Sequence, residues 1–285
     1  MTISASQVME LRSATGAGMM DCKKALEESG GDMEKARDYL RKKGIALAAK
    51  RSDRETTEGG IAIAQSDDKH TAAMVRLACE TDFVSRNEQF QGLLGQITGQ
   101  VLAAGDADVL SQPVVNGEGT VENLITTAVG VIGENIQLVE AARISVTGQG
   151  MVSGYVHTNG KIGVLVALQT QGAPGDLAAL EQLGRDVAMH IAASNVAAVS
   201  EAQIDPAVLE KEREVFIAQA QESGKSADIA EKMVQGRLKK FVKEISLLDQ
   251  PFVKDPDKSV SAVLAEAGKA QGTAVAVEQF IKFQF

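Results

Sequence analysis

The sequence predicts an α+β protein in three parts: a three-helix N-terminal domain (1–54), a duplicated α+β core with subdomains 55–145 and 146–285, and a helical hairpin projecting over about 205–245. Three observations carry this. Apolar residues in the first fifty-odd positions recur at helical spacing. Beyond residue 58 the pattern changes to the alternating, β-rich runs of strands. Roughly ninety residues later the same order of hairpin and helix returns, as an internal duplication requires.

In the first part, Ser4 and Gln7 form a capping box ahead of Val8 and Leu11. Gly16–Gly18 interrupts, and Cys22, Ala25 and Leu26 then share a helical face. Gly30-Gly31 stops that helix; Asp32 caps a third, in which Met33, Ala36 and Leu40 recur until Gly44 closes it. The stretch KGIALAAKRSDRETTEGG has a basic helical end and then reads as a linker. GGIAIAQ and TAAMVRLACE, on either side of the polar turn SDDKH, make the first hairpin, with FQGLLGQITGQVLAAG as the helix behind it. VSGYVHTNGKIGVLVALQT and LEQLGRDVAMHIAAS repeat that order, and Leu94–Ala104 matches Leu183–Ala193 in pattern with identical residues at both ends. Between the copies, VENLITTAVGVIGENIQLVEAARISV reads as a helix running into a strand. After the second copy, Val208, Val215 and Ile217, then Ile229, Met233 and Leu238, form narrow apolar stripes on two helices broken at ESGKS, which suits a projecting arm.

With 44% hydrophobic and 24% charged residues, the 285-residue chain has the composition of a folded globular protein. Charge is uneven: residues 1–54 hold 11 Lys or Arg against 8 Asp or Glu, a balance of +3 that leaves −12 for the rest of a chain at −9. The acidic body is unsuited to a polyanion. An aromatic content of 4%, with no Trp, argues against a stacking surface for single-stranded nucleic acid. No apolar run approaches the ~18 residues of a membrane span, and the start MTISASQVMELRSATG lacks the regions of a signal peptide. A cytoplasmic protein without membrane contact is expected, with Cys22 and Cys79 as buried thiols.

Gly224–Ser226 reads GKS, but Gln219 stands where a phosphate loop needs its first glycine, and the segment joins two helices; direct nucleotide binding is not expected. Gly148, Gly150 and Gly154 miss the dinucleotide spacing by one residue and read as a turn. His70, His157 and His190 have no neighbouring ligands at metal-binding spacing, so no metal is expected. His70 and His157 read as surface residues of hairpin turns or strand ends, and His190 as a packed or capping residue of an amphipathic helix. No nucleophile elbow or hydrolase triad is present, so neither a cofactor nor an enzymatic activity is expected.

What remains is Thr81-Asp82-Phe83-Val84, where the chain leaves the strand AAMVRLACE with an acid and a large ring adjacent. Two readings stand side by side. Thr81 or Asp82 caps a helix and Phe83 is stapled into the core, or Phe83 is an aromatic anchor that enters a partner's pocket beside Asp82.

Five blocks carry a family resemblance: LRSATGAGMMDCKKALEESGGDMEKARDYLRKKG, CETDFVSRNEQF, IGENIQL, HTNGKIGVLVAL with VAMHIAAS behind it, and EKMVQGRLKKFVKEISLLDQPFVKD. In this order and spacing they cover nearly the whole chain, which closely resembles bacterial elongation factor Ts, the nucleotide exchange factors of elongation factor Tu. The resemblance implies a three-helix domain like ubiquitin-associated domains, two related α+β subdomains and a coiled-coil-like arm. It also implies a guanine nucleotide exchange factor that binds elongation factor Tu with GDP and promotes exchange for GTP in translation elongation. Thr81, Asp82, Phe83 and Val84 would disturb the partner's Mg²⁺ site, with Phe83 inserted between helices of the GTP-binding domain and Asp82 close by. Arg12, Met19, Met20 and Lys23 are the implied further contacts to that domain, and His157 the contact to the partner's third domain. A homodimer through the arm is left open. Many members continue into a C-terminal helical module that also touches elongation factor Tu, whereas this chain stops at QFIKFQF, which leaves that module's contacts open. The alternatives weighed are an RNA-binding protein using Arg41, Lys42, Lys43, Lys50, Arg51 and Arg54, and a thiol enzyme using Cys22 or Cys79.

Overall fold

The computed structural model describes residues 3–222 and 227–285. Helices α1 (Ala5–Thr15), α2 (Met19–Glu28) and α3 (Met33–Arg51) enclose Val8, Leu11, Cys22, Ala25, Leu26 and Ala36. The Ser4–Gln7 capping box and the Asp32 cap form as the sequence predicts.

The rest is an α+β core in which one unit is built twice. In the first copy β1 (Glu58–Gln65) and β2 (Thr71–Cys79) form a hairpin. A short α4 (Asp82–Ser85) leads to α5 (Glu88–Ala104), and α6 (Val121–Ile132) runs into β3 (Ile136–Ser145), which pairs antiparallel with β2. The second copy begins with the hairpin of β4 (Gln149–Val156) and β5 (Ile162–Thr170), followed by α7 (Leu177–Ala193). Next come the arm helices α8 (Pro206–Glu222) and α9 (Ala227–Ile245) and the small pair β6 (Pro251–Phe252) and β7 (Asp255–Ser259). Then α10 (Val260–Gln271) returns into β8 (Val275–Gln284) beside β5.

The correspondence reaches single residues. Register breaks fall between Arg76 and Leu77 in β2 and between Ala167 and Leu168 in β5. Gly59 and Gly150, at φ 149° and 138°, sit at matching places; a Cβ there would lie 2.2 and 2.0 Å from the carbonyl oxygens of Leu77 and Leu168, so only glycine fits. After each helix a Gln-Pro turn follows, and the carbonyls of Gln112 and Gln250 accept the N–H groups of Val121 and Val260 at 3.1 and 3.0 Å. By this alignment the arm is an insertion between α7 and the second Gln-Pro turn.

Alternation along the central strands builds four layers. On β2, Ala73, Val75 and Leu77 face α5 and α6, while Ala72 and Met74 face the other sheet. On β5, Val164, Val166 and Leu168 face α7 and α10, while Leu165 and Ala167 face the first sheet. Burial on both faces is why these strands read as near-continuous apolar runs.

Three expectations are corrected. Gly44 does not close α3; it faces α6, where a Cβ on Gly130 would lie 2.7 Å from the Gly44 Cα, so glycine serves a close crossing of two helices. The helix match moves by one residue: buried Leu94, Ile97, Gln100 and Val101 correspond to Gly184, Val187, His190 and Ile191, and Leu94 does not correspond to Leu183. In the arm, Val208, Val215 and Ile229 are exposed, not seam residues. The seam runs through Phe216 and Phe241, edge to face at 6.4 Å, and buried Ala220 and Val234. Gly224–Ser226 lies outside the described residues. Among those described, no helix is long and apolar enough to cross a membrane.

Candidate functional site

At the end of β2, Thr81 caps α4, its hydroxyl accepting the Val84 N–H at 3.4 Å. A four-residue helix has little stability of its own. Its neighbours supply it: Ser85 donates to the Asp82 carbonyl at 2.9 Å, and the Gln91 amide to the Ser85 carbonyl at 2.6 Å. Val84 turns inward onto the core behind β2, whereas Phe83 turns outward and is 83% exposed. Thr81 is therefore the cap, as the first reading had it, but Phe83 is not stapled into the core. A large ring on an ordered turn suits an interface anchor. Asp82 pairs with Arg86 at 3.1 Å on the surface, a contact of small energetic weight.

The base of this turn is held by two carboxylates exchanged between the end of β2 and the start of β3. Glu134 accepts the Thr81 N–H at 3.0 Å and the Thr81 hydroxyl at 2.7 Å. Glu80 in return accepts the Asn135 N–H at 2.7 Å and the Arg54 guanidinium at 3.3 Å. Burial works to raise the Glu80 carboxyl, but these donors outweigh it and hold it below the usual range. The Asn135 amide donates to the carbonyls of Ser52 and Arg54 at 3.3 and 2.8 Å, which fastens the chain leaving α3 to the same place. The Cys79 thiol donates to the Thr81 carbonyl at 3.2 Å. Burial, and then the nearby Glu134 carboxylate, push that thiol up to about 11, so it is a protonated structural group and no nucleophile. Cys22 is buried as well, and neither cysteine forms a disulfide. Sequence reasoning assigned no role to Glu80 or Glu134; the available signal is an acid at each of two strand ends, which no local spacing connects.

His157 stands exposed in the β4–β5 turn, its Nδ1 3.0 Å from the Tyr155 hydroxyl. That turn is tied to β1 by the Ile61 N–H on the Gly160 carbonyl at 3.0 Å and by the Lys161–Glu58 ion pair. Asp82 and His157 consequently line one open cleft of about 620 Å³, together with Gly59, Arg86, Asn159 and Lys161. Arg12, Met19 and Met20 are exposed on α1 and α2, and Lys23 pairs with Glu27 at 3.8 Å; none of the four lines that cleft. His190 is buried between Gln250 and the Val253 N–H, and His70 is half-buried.

Among the described residues no group of three or more His, Cys, Asp or Glu is placed to hold a metal ion. Of the basic residues weighed for RNA, Arg41 pairs with Asp38 at 3.2 Å, Lys43 with Asp21 at 2.5 Å and Arg54 with Glu80 at 3.3 Å. Three of those six cations are thus paired within the chain.

The family described as Elongation factor TS matches this chain over residues 80–285, from the end of β2 through the second repeat. A curated relative named elongation factor Ts, from Nitratidesulfovibrio vulgaris (strain DP4), is 45% identical over 100% of this chain and 96% of its own. Another of that name, from a Nitratiruptor species, is 46% identical over 100% and 93%, and one from Rhizobium meliloti is 48% identical over 97% and 91%. With relatives matched over nearly their whole length, the chain belongs to the elongation factor Ts family.

Proposed function

We propose that this protein is a guanine nucleotide exchange factor that binds elongation factor Tu with GDP and promotes exchange for GTP in translation elongation. It acts in the cytoplasm and catalyses no covalent reaction of its own. Beside family membership, one observation carries the reading: Phe83 is a large ring held in water on a turn whose base is cross-linked through Glu134.

A GTPase retains GDP by wrapping backbone N–H groups around its phosphates and by Mg²⁺, which neutralises their charge. In the proposed mechanism Phe83 wedges between helices of the GTP-binding domain and shifts those groups, while Asp82 brings negative charge close to the ion's surroundings. Thr81 and Val84 form the base from which the wedge acts. Arg12, Met19, Met20 and Lys23 grip the same domain elsewhere, and His157 meets the third domain, so that separated contacts give leverage. Each ~1.4 kcal/mol of distortion weakens GDP about tenfold. Coupling is reciprocal: nucleotide weakens the factor as strongly as the factor weakens nucleotide, and incoming GTP dissociates the complex.

Release of a fluorescent GDP analogue from elongation factor Tu, followed against protein concentration, tests this. Acceleration that saturates is expected; release unchanged at every concentration contradicts it.

A further inference from the structure

We infer that Glu134 is the positioning residue of this site, setting the direction of Phe83 by gripping Thr81 at two points; the role rests on the exchange reading above. Thr81 stands two residues before Phe83 and caps the helix that carries it. A single hydrogen bond would leave the turn free to pivot. Two bonds from one carboxylate, to the N–H and the hydroxyl of the same residue, fix backbone and side chain together. The Thr81 hydroxyl has one proton, which it donates to Glu134, leaving its lone pairs to accept the Val84 N–H. One line of bonds therefore runs from the start of β3 into the helix that bears the ring.

The second repeat provides the control. Cys79 pairs with Ile136 and Thr170 with Val275, so Gly172 takes the place of Thr81 and Thr273 that of Glu134. There the Gly172 N–H donates to the Thr273 hydroxyl at 2.9 Å. A bond between the two strand ends thus belongs to the shared unit and needs only a neutral side chain. No hydroxyl at 172 is available to be gripped, and no short helix separates β5 from α7. Acid, hydroxyl, helix and exposed ring occur together in the first repeat alone, so the carboxylate does more there than close the sheet.

The chain has no Trp, so Phe83→Trp in the full-length protein reports on this turn alone. In that background Glu134→Ala is expected to at least double the amplitude of the fast component in fluorescence anisotropy decay, with Glu134→Gln, which keeps one acceptor oxygen, in between. With Phe83 in place, Glu134→Ala is expected to lower the maximal rate of GDP release from elongation factor Tu about tenfold. Its half-saturating concentration should stay within about threefold, because the other contacts persist. The double variant Glu134→Ala, Phe83→Ala should be no slower than Phe83→Ala. An unchanged anisotropy decay, wild-type release by Glu134→Ala, or a further equal loss in the double variant each overturns the inference and leaves the exchange reading standing. A wild-type protein that fails to accelerate release overturns the exchange reading instead, and the anisotropy decay still decides whether Glu134 grips the turn.

Discussion

Glu134 holds Thr81 at 2.7 and 3.0 Å, and the bonds end two residues short of Phe83, a ring 83% exposed to water. A fixed base beneath a free side chain separates binding from folding. Phe83→Ala is expected to shift stability by no more than about 0.5 kcal/mol, as for an ordinary surface change. Phe90, with no exposed surface, gives the contrast: its replacement by Ala should cost about 3–5 kcal/mol. Denaturant midpoints of the two variants check this.

The crossing of α3 and α6 predicts unequal glycine substitutions. A Cβ on Gly130 would meet the Gly44 Cα at 2.7 Å, a backbone atom that yields only if the helices part. A Cβ on Gly44 would meet the Thr126 carbonyl oxygen at 3.5 Å and the Gly130 Cα at 3.8 Å, ordinary contacts. Alanine is favoured over glycine within a helix, so Gly44→Ala should be neutral or stabilising by up to about 1 kcal/mol. Gly130→Ala should destabilise by roughly 1–3 kcal/mol, read from the same unfolding curves.

His190 gives the stability a pH dependence. The Val253 N–H points at its Nδ1 at 3.1 Å, so the ring is neutral with its proton on Nε2, donated to Gln250 at 2.8 Å. Burial holds its pKa below the usual 6.5, against the opposing effect of Gln250. The unfolded chain therefore takes up this proton at a higher pH than the folded one. The stabilisation is complete above about 6.5 and is lost as pH falls through the window below it. At the matching place in the first repeat, Gln100 donates to Gln112 at 3.0 Å and accepts the Val115 N–H at 2.8 Å. His190→Gln is accordingly expected to keep the fold and flatten the fall in melting temperature between about pH 7 and about pH 5.5.

The last strand of each repeat sends a cation to the end of a helix. Arg143 donates from Nε to the Leu102 carbonyl at 2.9 Å, and Lys282 from Nζ to the carbonyls of Ile191 and Ser194, each at 3.0 Å. Burial lowers the pKa of Lys282. Lys282→Met leaves those carbonyls without their donor and should cost roughly 1–3 kcal/mol. Arg143→Met, at an exposed residue, should cost less; thermal unfolding of the pair compares them.

Sequence pattern reveals what depends on near neighbours. β1, β2, β4 and β5 show their hairpins in composition and alternation, and the caps at Ser4 and Asp32 read from a few adjacent positions. What the fold brings from afar stays hidden. Gly44 looks like a helix end until Gly130 is set against it. Leu94 and Leu183 are identical, but burial pairs Leu94 with Gly184. In the arm, branched residues such as Val208 and Val215 draw the eye, whereas Phe216 and Ala220 make the seam. At the site, Asp82 beside Phe83 stands out by residue type alone. Which of Phe83 and Val84 turns inward depends on the core behind β2, and Glu134 becomes a partner of Thr81 only when β3 lies beside β2.

The rate of GDP release from elongation factor Tu, with Phe83→Ala beside wild type at equal subsaturating concentrations and both proteins equally folded, tests the wedge most directly. Wild type should accelerate release, and the variant should do so at least about tenfold less, a loss of ~1.4 kcal/mol in transition-state stabilisation. Equal rates for the two proteins would contradict a mechanism that acts through this ring.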